Sequence, residues 1–163
     1  VVPLAPAFLT LHASGGPAMM RAAAEAARQA AASANVTRPR LLGVTVLTSL
    51  DTEDLSAVGQ DDDVAGQVDR LAALAHAAGL DGVVCAPAEI ARLRAKLGPE
   101  FVLMVPGIRP ADAGADDQKR VMTPHQAMAA GADHLVIGRP ITGAADPATA
   151  ARDIALGLRR DHP

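Results

Sequence analysis

The 163-residue chain is poor in aromatic residues, cysteine and lysine. It has two phenylalanines and neither tyrosine nor tryptophan, so it lacks the aromatic surfaces on which proteins commonly stack bases and sugars. The single cysteine, Cys85, excludes a disulfide framework and a cysteine-rich zinc site, and its place in an apolar run predicts an inert core residue. The two lysines, Lys96 and Lys119, do not follow predicted strands directly, so neither is well placed as a buried catalytic amine.

Charge and long apolar runs are also limited. A formal net charge of −3 argues against a nucleic-acid binder, which usually carries a basic stripe. No apolar run approaches the roughly 20 residues that span a bilayer. The opening VVPLAPAFLT lacks the basic region of a secretory signal. We therefore expect a cytoplasmic protein with no nucleic acid and no membrane among its partners.

Short apolar runs alternate with alanine-rich helical stretches along the chain. The runs are continuous, which is typical of parallel strands buried on both faces. They predict strands at residues 8–12, 41–47, 81–86, 101–106 and 133–138. Capping residues predict helices at residues 17–34, 64–79, 87–97, 124–131 and 147–158. Repeated strand–helix units without a linker predict one α/β domain over residues 1–163.

The pattern leaves two parallel folds open. An open, doubly wound sheet of five strands fits the chain length. A closed (β/α)8 barrel needs eight units and typically about 250 residues, so this chain would be a fragment of one. No glycine-rich nucleotide-binding loop follows any predicted strand, and the pattern alone favours neither fold.

Two arginines that follow the last two predicted strands give the clearest functional signal. The guanidinium groups of Arg109 and Arg139 match phosphate or carboxylate oxygens, and each charge-assisted bond contributes roughly 1.5–3 kcal/mol. Gly138 allows backbone N–H groups to approach an anion closely. The competing interpretation is that both arginines pair at the surface with carboxylates such as Asp112 or Asp146.

Other polar residues after strands are weaker candidates. His12 is either a base or a structural hydrogen-bonding residue. Thr48 and Ser49 either bind the polar edge of a ligand or satisfy their own turn. The acidic run Asp61–Asp63 favours stabilisation of a helix dipole over a metal site. Gln118 lies in a loop that is either a lid over a ligand or a solvated connection.

Six segments in order resemble one known family. They are HASGG (12–16), LLGVTVLTSL (41–50), GLDGVVCAPAE (79–89), VPGIRP (105–110), DDQKRVMTP (116–124) and GADHLVIGRPIT (131–142). Together they closely resemble the bacterial orotidine 5′-phosphate decarboxylase family, from about residue 8 to residue 158. The resemblance implies a partial TIM (β/α)8 barrel in which the five strands are strands four to eight. It also implies a cytoplasmic homodimer that converts orotidine 5′-monophosphate to UMP and CO2 in pyrimidine biosynthesis, without metal or cofactor.

The same resemblance implies roles for individual residues. Arg109, Gly138 and Arg139 match the family's phosphate-binding positions. Gln118 matches a lid residue that reaches both the phosphate and the pyrimidine. Thr48 matches a hydroxyl that contacts the edge of the pyrimidine ring.

The chain departs from the family at its catalytic motif. The family's Asp-x-Lys-x-x-Asp sequence, whose lysine protonates the ring carbon as CO2 leaves, does not occur here. We therefore expect that lysine upstream, no catalytic residue in this chain, and no activity of the chain alone. Two alternatives stay open: another phosphate-binding barrel enzyme (a sugar-phosphate decarboxylase, aldolase or epimerase), and a non-catalytic half-barrel that binds nucleotide.

Overall fold

A computed structural model describes residues 1–60, 63–110 and 122–160, which form one parallel sheet flanked by helices. The strands are β1 (Phe8–His12), β2 (Arg40–Val44), β3 (Gly82–Val84), β4 (Val102–Val105) and β5 (His134–Leu135). The helices are α1 (Gly16–Ala34), α2 (Thr52–Ala57), α3 (Val64–Ala77), α4 (Ile90–Leu97), α5 (Pro124–Ala129), α6 (Arg139–Thr142) and α7 (Pro147–Arg160). Short 3-10 turns occupy Val2–Leu4, Ala13–Gly15 and Pro87–Glu89.

The sheet order is β1-β2-β3-β4-β5, and every neighbouring pair is parallel. Each strand pairs with the next one along the chain, with helical segments between them. This arrangement confirms the prediction of a parallel α/β fold with five strands. Among the described helices, none combines the length and the apolar character that a membrane crossing requires.

One face of the sheet carries the hydrophobic core. Its side chains pack against the apolar faces of the helices, and the most buried of them are Leu41, Val83, Leu103 and Val105. The opposite face is less covered, since Thr10 and His12 of β1 are exposed. The expectation that every strand is buried on both faces is therefore wrong for β1.

The sheet is strongly curved, as a ring contact between its two edge strands shows. The rings of Phe8 in β1 and His134 in β5 meet edge to face, with centroids 4.8 Å apart. In a flat sheet these strands would lie about 19 Å apart, because neighbouring strands are spaced by about 4.8 Å. The less covered face is therefore concave, and its first and last strands approach each other.

Several element ends differ from the prediction. Residues 45–47 and 136–138 were predicted as strand, but β2 ends at Val44 and β5 at Leu135. The unpredicted helix α2 begins after Asp51, whose carboxylate accepts N–H bonds from Glu53 (2.9 Å) and Asp54 (3.1 Å). This acidic capping box was the local signal for the helix.

Candidate ligand site at the carboxyl edge of the sheet

The predicted site residues that the structure describes all follow carboxyl ends of strands. Arg109 follows β4, Gly138 and Arg139 follow β5, and Thr48 follows β2. Because all five strands are parallel, their carboxyl ends form one edge of the sheet, where parallel α/β proteins bind ligands. The two arginines come from neighbouring strands, whereas Thr48 is separated from them by β3. The fifth predicted residue, Gln118, lies outside the described residues.

A turn at Gly107 and backbone pairing with Met122 hold Arg109 in place. Gly107 adopts a left-handed conformation (φ 78°) that turns the chain after β4. Ile108 then forms a parallel bridge to Met122, and the Arg109 N–H donates to the Met122 carbonyl at 3.1 Å. Arg109 is only 8% exposed, although arginine is usually a surface residue. A mostly buried guanidinium binds an anion more strongly than a solvated one, since fewer water molecules compete.

Gly138 and Arg139 begin the single-turn helix α6. The carbonyl of Gly138 accepts N–H bonds from Ile141 (2.9 Å) and Thr142 (3.0 Å). A Cβ atom added at Gly138 would meet no heavy atom of the described chain within 4 Å, apart from its chain neighbours. Both residues are exposed, so a ligand can reach them from solvent.

Thr48 lies in the segment between β2 and α2. It is exposed and lines a cavity of about 30 Å³ together with Leu50 and Glu89. The nearby Thr45 is buried, and its hydroxyl donates to the Val84 carbonyl at 2.8 Å, so it holds β2 against β3. Of these two threonines, Thr48 is the one whose hydroxyl is accessible to a ligand.

Glu89 is a buried acid at the same edge, and the sequence pattern did not mark it as a candidate site residue. Glu89 is 6% exposed, and its carboxylate accepts an N–H bond of 2.7 Å from Ala86. This bond closes the turn Pro87–Glu89 after β3. The signal was the glutamate three positions after the residue that caps the turn, a capping-box spacing.

Cys85 and Asp63 have structural roles. Burial, with the negative charge of Glu89 nearby, raises the pKa of the Cys85 thiol to about 12. Cys85 is 1% exposed, which confirms that it lies in the core, and a protonated thiol is a weak nucleophile. Asp63 caps α3 by accepting the Gly66 N–H at 2.9 Å, whereas Asp61 and Asp62 lie outside the described residues. Within the described ranges, no group of three or more His, Cys, Asp or Glu residues is placed to hold a metal ion.

Comparison with known proteins identifies relatives of the chain. It is 58% identical over 155 residues to the orotidine 5′-phosphate decarboxylase of Rhodospirillum rubrum, covering 95% of this chain and 63% of the relative. It is 54% identical over 152 residues to the orotidine 5′-phosphate decarboxylase of Moorella thermoacetica, covering 93% of this chain and 60% of that relative. The chain thus spans less than two thirds of the length of these relatives.

Solved structures and a family match agree with these relatives. A crystal structure of orotidine 5′-phosphate decarboxylase from Lactobacillus acidophilus superposes with a TM-score of 0.80 at 35% identity, over 96% of this chain and 65% of that one. A crystal structure of orotidine 5′-monophosphate decarboxylase from Sulfolobus solfataricus shares the fold at 18% identity (TM-score 0.63; 98% and 64% covered). Residues 4–154 match the family described as "Orotidine 5'-phosphate decarboxylase / HUMPS family". With most of its length matched, the chain belongs to this family.

Proposed function

We propose that the chain is the carboxyl-terminal part of a (β/α)8 barrel and forms one domain over residues 1–163. The contact between Phe8 and His134 supports this, because it requires a sheet that curves as a barrel wall does. The five strands then correspond to barrel strands four to eight. The relatives extend beyond the matched part by about a third of their length, which is room for three further strand–helix units.

The complete protein would decarboxylate orotidine 5′-monophosphate to UMP and CO2 in pyrimidine biosynthesis. The observation that carries this proposal is the family match over residues 4–154, with relatives of that name at 54–58% identity. The reaction would need neither metal nor cofactor, and its catalytic lysine would come from the segment upstream. The enzyme would be a cytoplasmic homodimer. Leu47 and Val58 are exposed apolar side chains, which a second subunit would remove from water.

Within this site, Arg109, Gly138 and Arg139 would hold the phosphate. The two arginines bring cationic groups from neighbouring strand ends to one edge of the sheet. Gly138 leaves the backbone open where a larger residue would stand between it and the anion. Thr48 would contact the pyrimidine edge, and Gln118 would reach across from the lid.

The first test concerns the phosphate. In the protein at its natural full length, Arg139→Ala is expected to weaken UMP binding by about 1–3 kcal/mol, because a charge-assisted bond to phosphate is lost. Binding of uridine, which has no phosphate, should not change, and calorimetry of both ligands checks the difference. Arg28→Ala is the control, since Arg28 is an exposed arginine paired with Glu25 on α1. An equal loss for UMP and uridine would contradict the role of Arg139.

A second substitution separates ligand contact from stability. Apart from its chain neighbours, the methyl group added by Gly138→Ala meets no described heavy atom within 4 Å, so no packing clash should lower the stability of the variant. If phosphate approaches the backbone here, UMP binding should weaken by about 1–3 kcal/mol, as for the loss of a hydrogen bond to a charged group. The melting temperature of the variant checks its stability, and its UMP dissociation constant checks the contact with the ligand. Unchanged UMP binding would show that the backbone at Gly138 does not face the ligand.

Ligand selectivity distinguishes this proposal from another phosphate-binding barrel. The decarboxylase assignment predicts tighter binding of UMP than of ribose 5-phosphate, because Thr48 and Gln118 would contact the base. A preference for the pentose phosphate would instead favour a sugar-phosphate enzyme. Competition between the two ligands measures the preference directly.

A further inference from the structure

The sheet contains the same aspartate arrangement twice, at its amino edge. Asp81 directly precedes β3, and its backbone N–H donates to the Leu41 carbonyl (2.9 Å) while its carboxylate accepts the Leu41 N–H (2.7 Å). Asp133 directly precedes β5 and makes the same two bonds to Leu103, at 3.0 and 2.7 Å. Each aspartate thus encloses one residue of the preceding strand, which fixes how two strands are aligned.

Each aspartate is also paired with an arginine. Arg38 donates two bonds to the carboxylate of Asp81, at 2.6 and 2.8 Å. Arg94 of α4 donates to Asp133 at 2.6 Å and, through two nitrogens, to the Gly131 carbonyl at 2.8 and 3.1 Å. Both aspartates belong to a Gly-x-Asp sequence whose glycine has a positive φ, 81° at Gly79 and 106° at Gly131. The starts of β3 and β5 are therefore held by the same arrangement of a glycine, an aspartate and an arginine.

Arg94 connects the starts of both strands that lead to the predicted phosphate site. The same guanidinium donates to the carbonyls of Gly98 (2.7 Å), Pro99 (3.1 Å) and Phe101 (2.8 Å), which precede β4. It thus joins the segment before β4 to the segment before β5. Together with Asp133, Arg94 therefore helps to fix the offset between these strands along the sheet.

Strand β5 depends on this arrangement more than β3 does. It is two residues long, and in the described part of the chain it pairs with β4 alone, whereas β3 pairs with strands on both sides. Arg139 follows Asp133 by only six positions. An error in the position of β5 therefore passes directly to Arg139 at the other end of the strand.

We propose that Asp133 and Arg94 are positioning residues that set Arg139 against Arg109 for phosphate binding. The pair does not touch the ligand, since it lies at the opposite edge of the sheet. The inference rests on the proposed function, because it assumes that the two arginines bind phosphate. The proposal therefore makes a specific prediction. A substitution of this pair weakens the phosphate-dependent part of ligand binding, whereas a substitution elsewhere that lowers the stability equally does not.

The test compares Asp133→Ala with the matched substitution Asp81→Ala in the protein at its natural full length. The measured quantity is the ratio of the dissociation constants of uridine and UMP, which isolates the contribution of the phosphate. We expect this ratio to fall about tenfold in Asp133→Ala. In enzymes, misplacement of a positioned group by about 1 Å can lower the rate about a hundredfold, and a smaller misplacement of Arg139 would weaken phosphate binding by the expected amount. The ratio should stay unchanged in Asp81→Ala, although both variants should melt at a lower temperature. The ratio for Asp133→Asn should lie between those of Asp133→Ala and the unsubstituted protein, because the amide oxygen of asparagine can still accept the Leu103 N–H.

The possible outcomes separate the two proposals. An unchanged ratio in Asp133→Ala with a lowered melting temperature, or an equal fall in both alanine variants, overturns the positioning role and leaves the phosphate site intact. An unsubstituted protein that binds UMP no better than uridine overturns the phosphate site, and the positioning role with it. If Asp133→Ala does not fold, the ratio in Asp133→Asn, compared with Asp81→Asn, decides by the same criteria.

Discussion

The purified 163-residue chain is expected to show no decarboxylation of orotidine 5′-monophosphate. The proposed reaction needs a lysine that protonates the ring carbon, and the chain has only two lysines. Lys96 lies on α4 and pairs with Asp69 of α3, in the helical layer and away from the carboxyl edge. Lys119 stands beside Gln118, in the predicted lid and not after a strand. Arginine cannot replace the lysine, since its guanidinium does not release a proton at neutral pH.

The size of this effect makes the measurement decisive. Enzymes accelerate reactions by roughly a million-fold or more, so loss of the proton donor should bring turnover down to background. Release of labelled CO2 from carboxyl-labelled substrate measures turnover with high sensitivity. The protein at its natural full length is the positive control, and UMP binding by the 163-residue chain tests whether its site is formed. Turnover by the chain above background would show that its own residues complete the catalytic site.

The number of strands and their parallel type could be predicted because their signal is local. Each strand is a run of buried apolar residues, such as the core positions Val83 and Leu103, and such runs are recognisable without knowledge of their neighbours. The strand ends were less predictable. β2 ends at Val44 although the apolar run continues to Leu47, and the hydroxyl of Thr45 then donates to the Val84 carbonyl of β3. That bond depends on the neighbouring strand, which the sequence pattern does not identify.

The curvature of the sheet and the burial of Arg109 could not be predicted from the sequence pattern for the same reason. The contact of Phe8 with His134 joins residues far apart in the sequence, and no local periodicity encodes it. Arg109 was predicted at a strand end, where it is found, but its burial depends on the bridge between Ile108 and Met122. The candidate site is thus predictable as a set of strand-end residues, whereas its shape depends on contacts between distant segments.

Gly82→Ala is expected to produce the largest loss of stability of any single methyl addition considered for this chain. A Cβ atom at Gly82 would lie 2.2 Å from the Val102 carbonyl oxygen and 2.6 Å from the Val102 Cβ. Both atoms belong to the facing residue of β4, which is held in the sheet on both sides. The strands would have to separate at their amino ends, and we expect a loss of about 3 kcal/mol in the free energy of unfolding. For a domain of this size that lowers the melting temperature by roughly 6–12 °C.

Gly157→Ala is the matched control, because it adds the same methyl group in a different setting. Gly157 is exposed on α7, and a Cβ atom there meets nothing within 4 Å. Alanine is the better helix former, so this variant should be more stable by about 0.5–1 kcal/mol. Thermal unfolding of both variants, followed by circular dichroism, measures the two opposite shifts. If Gly82→Ala melted at the temperature of the unsubstituted protein, β3 and β4 could not approach as closely as the contact at Val102 requires.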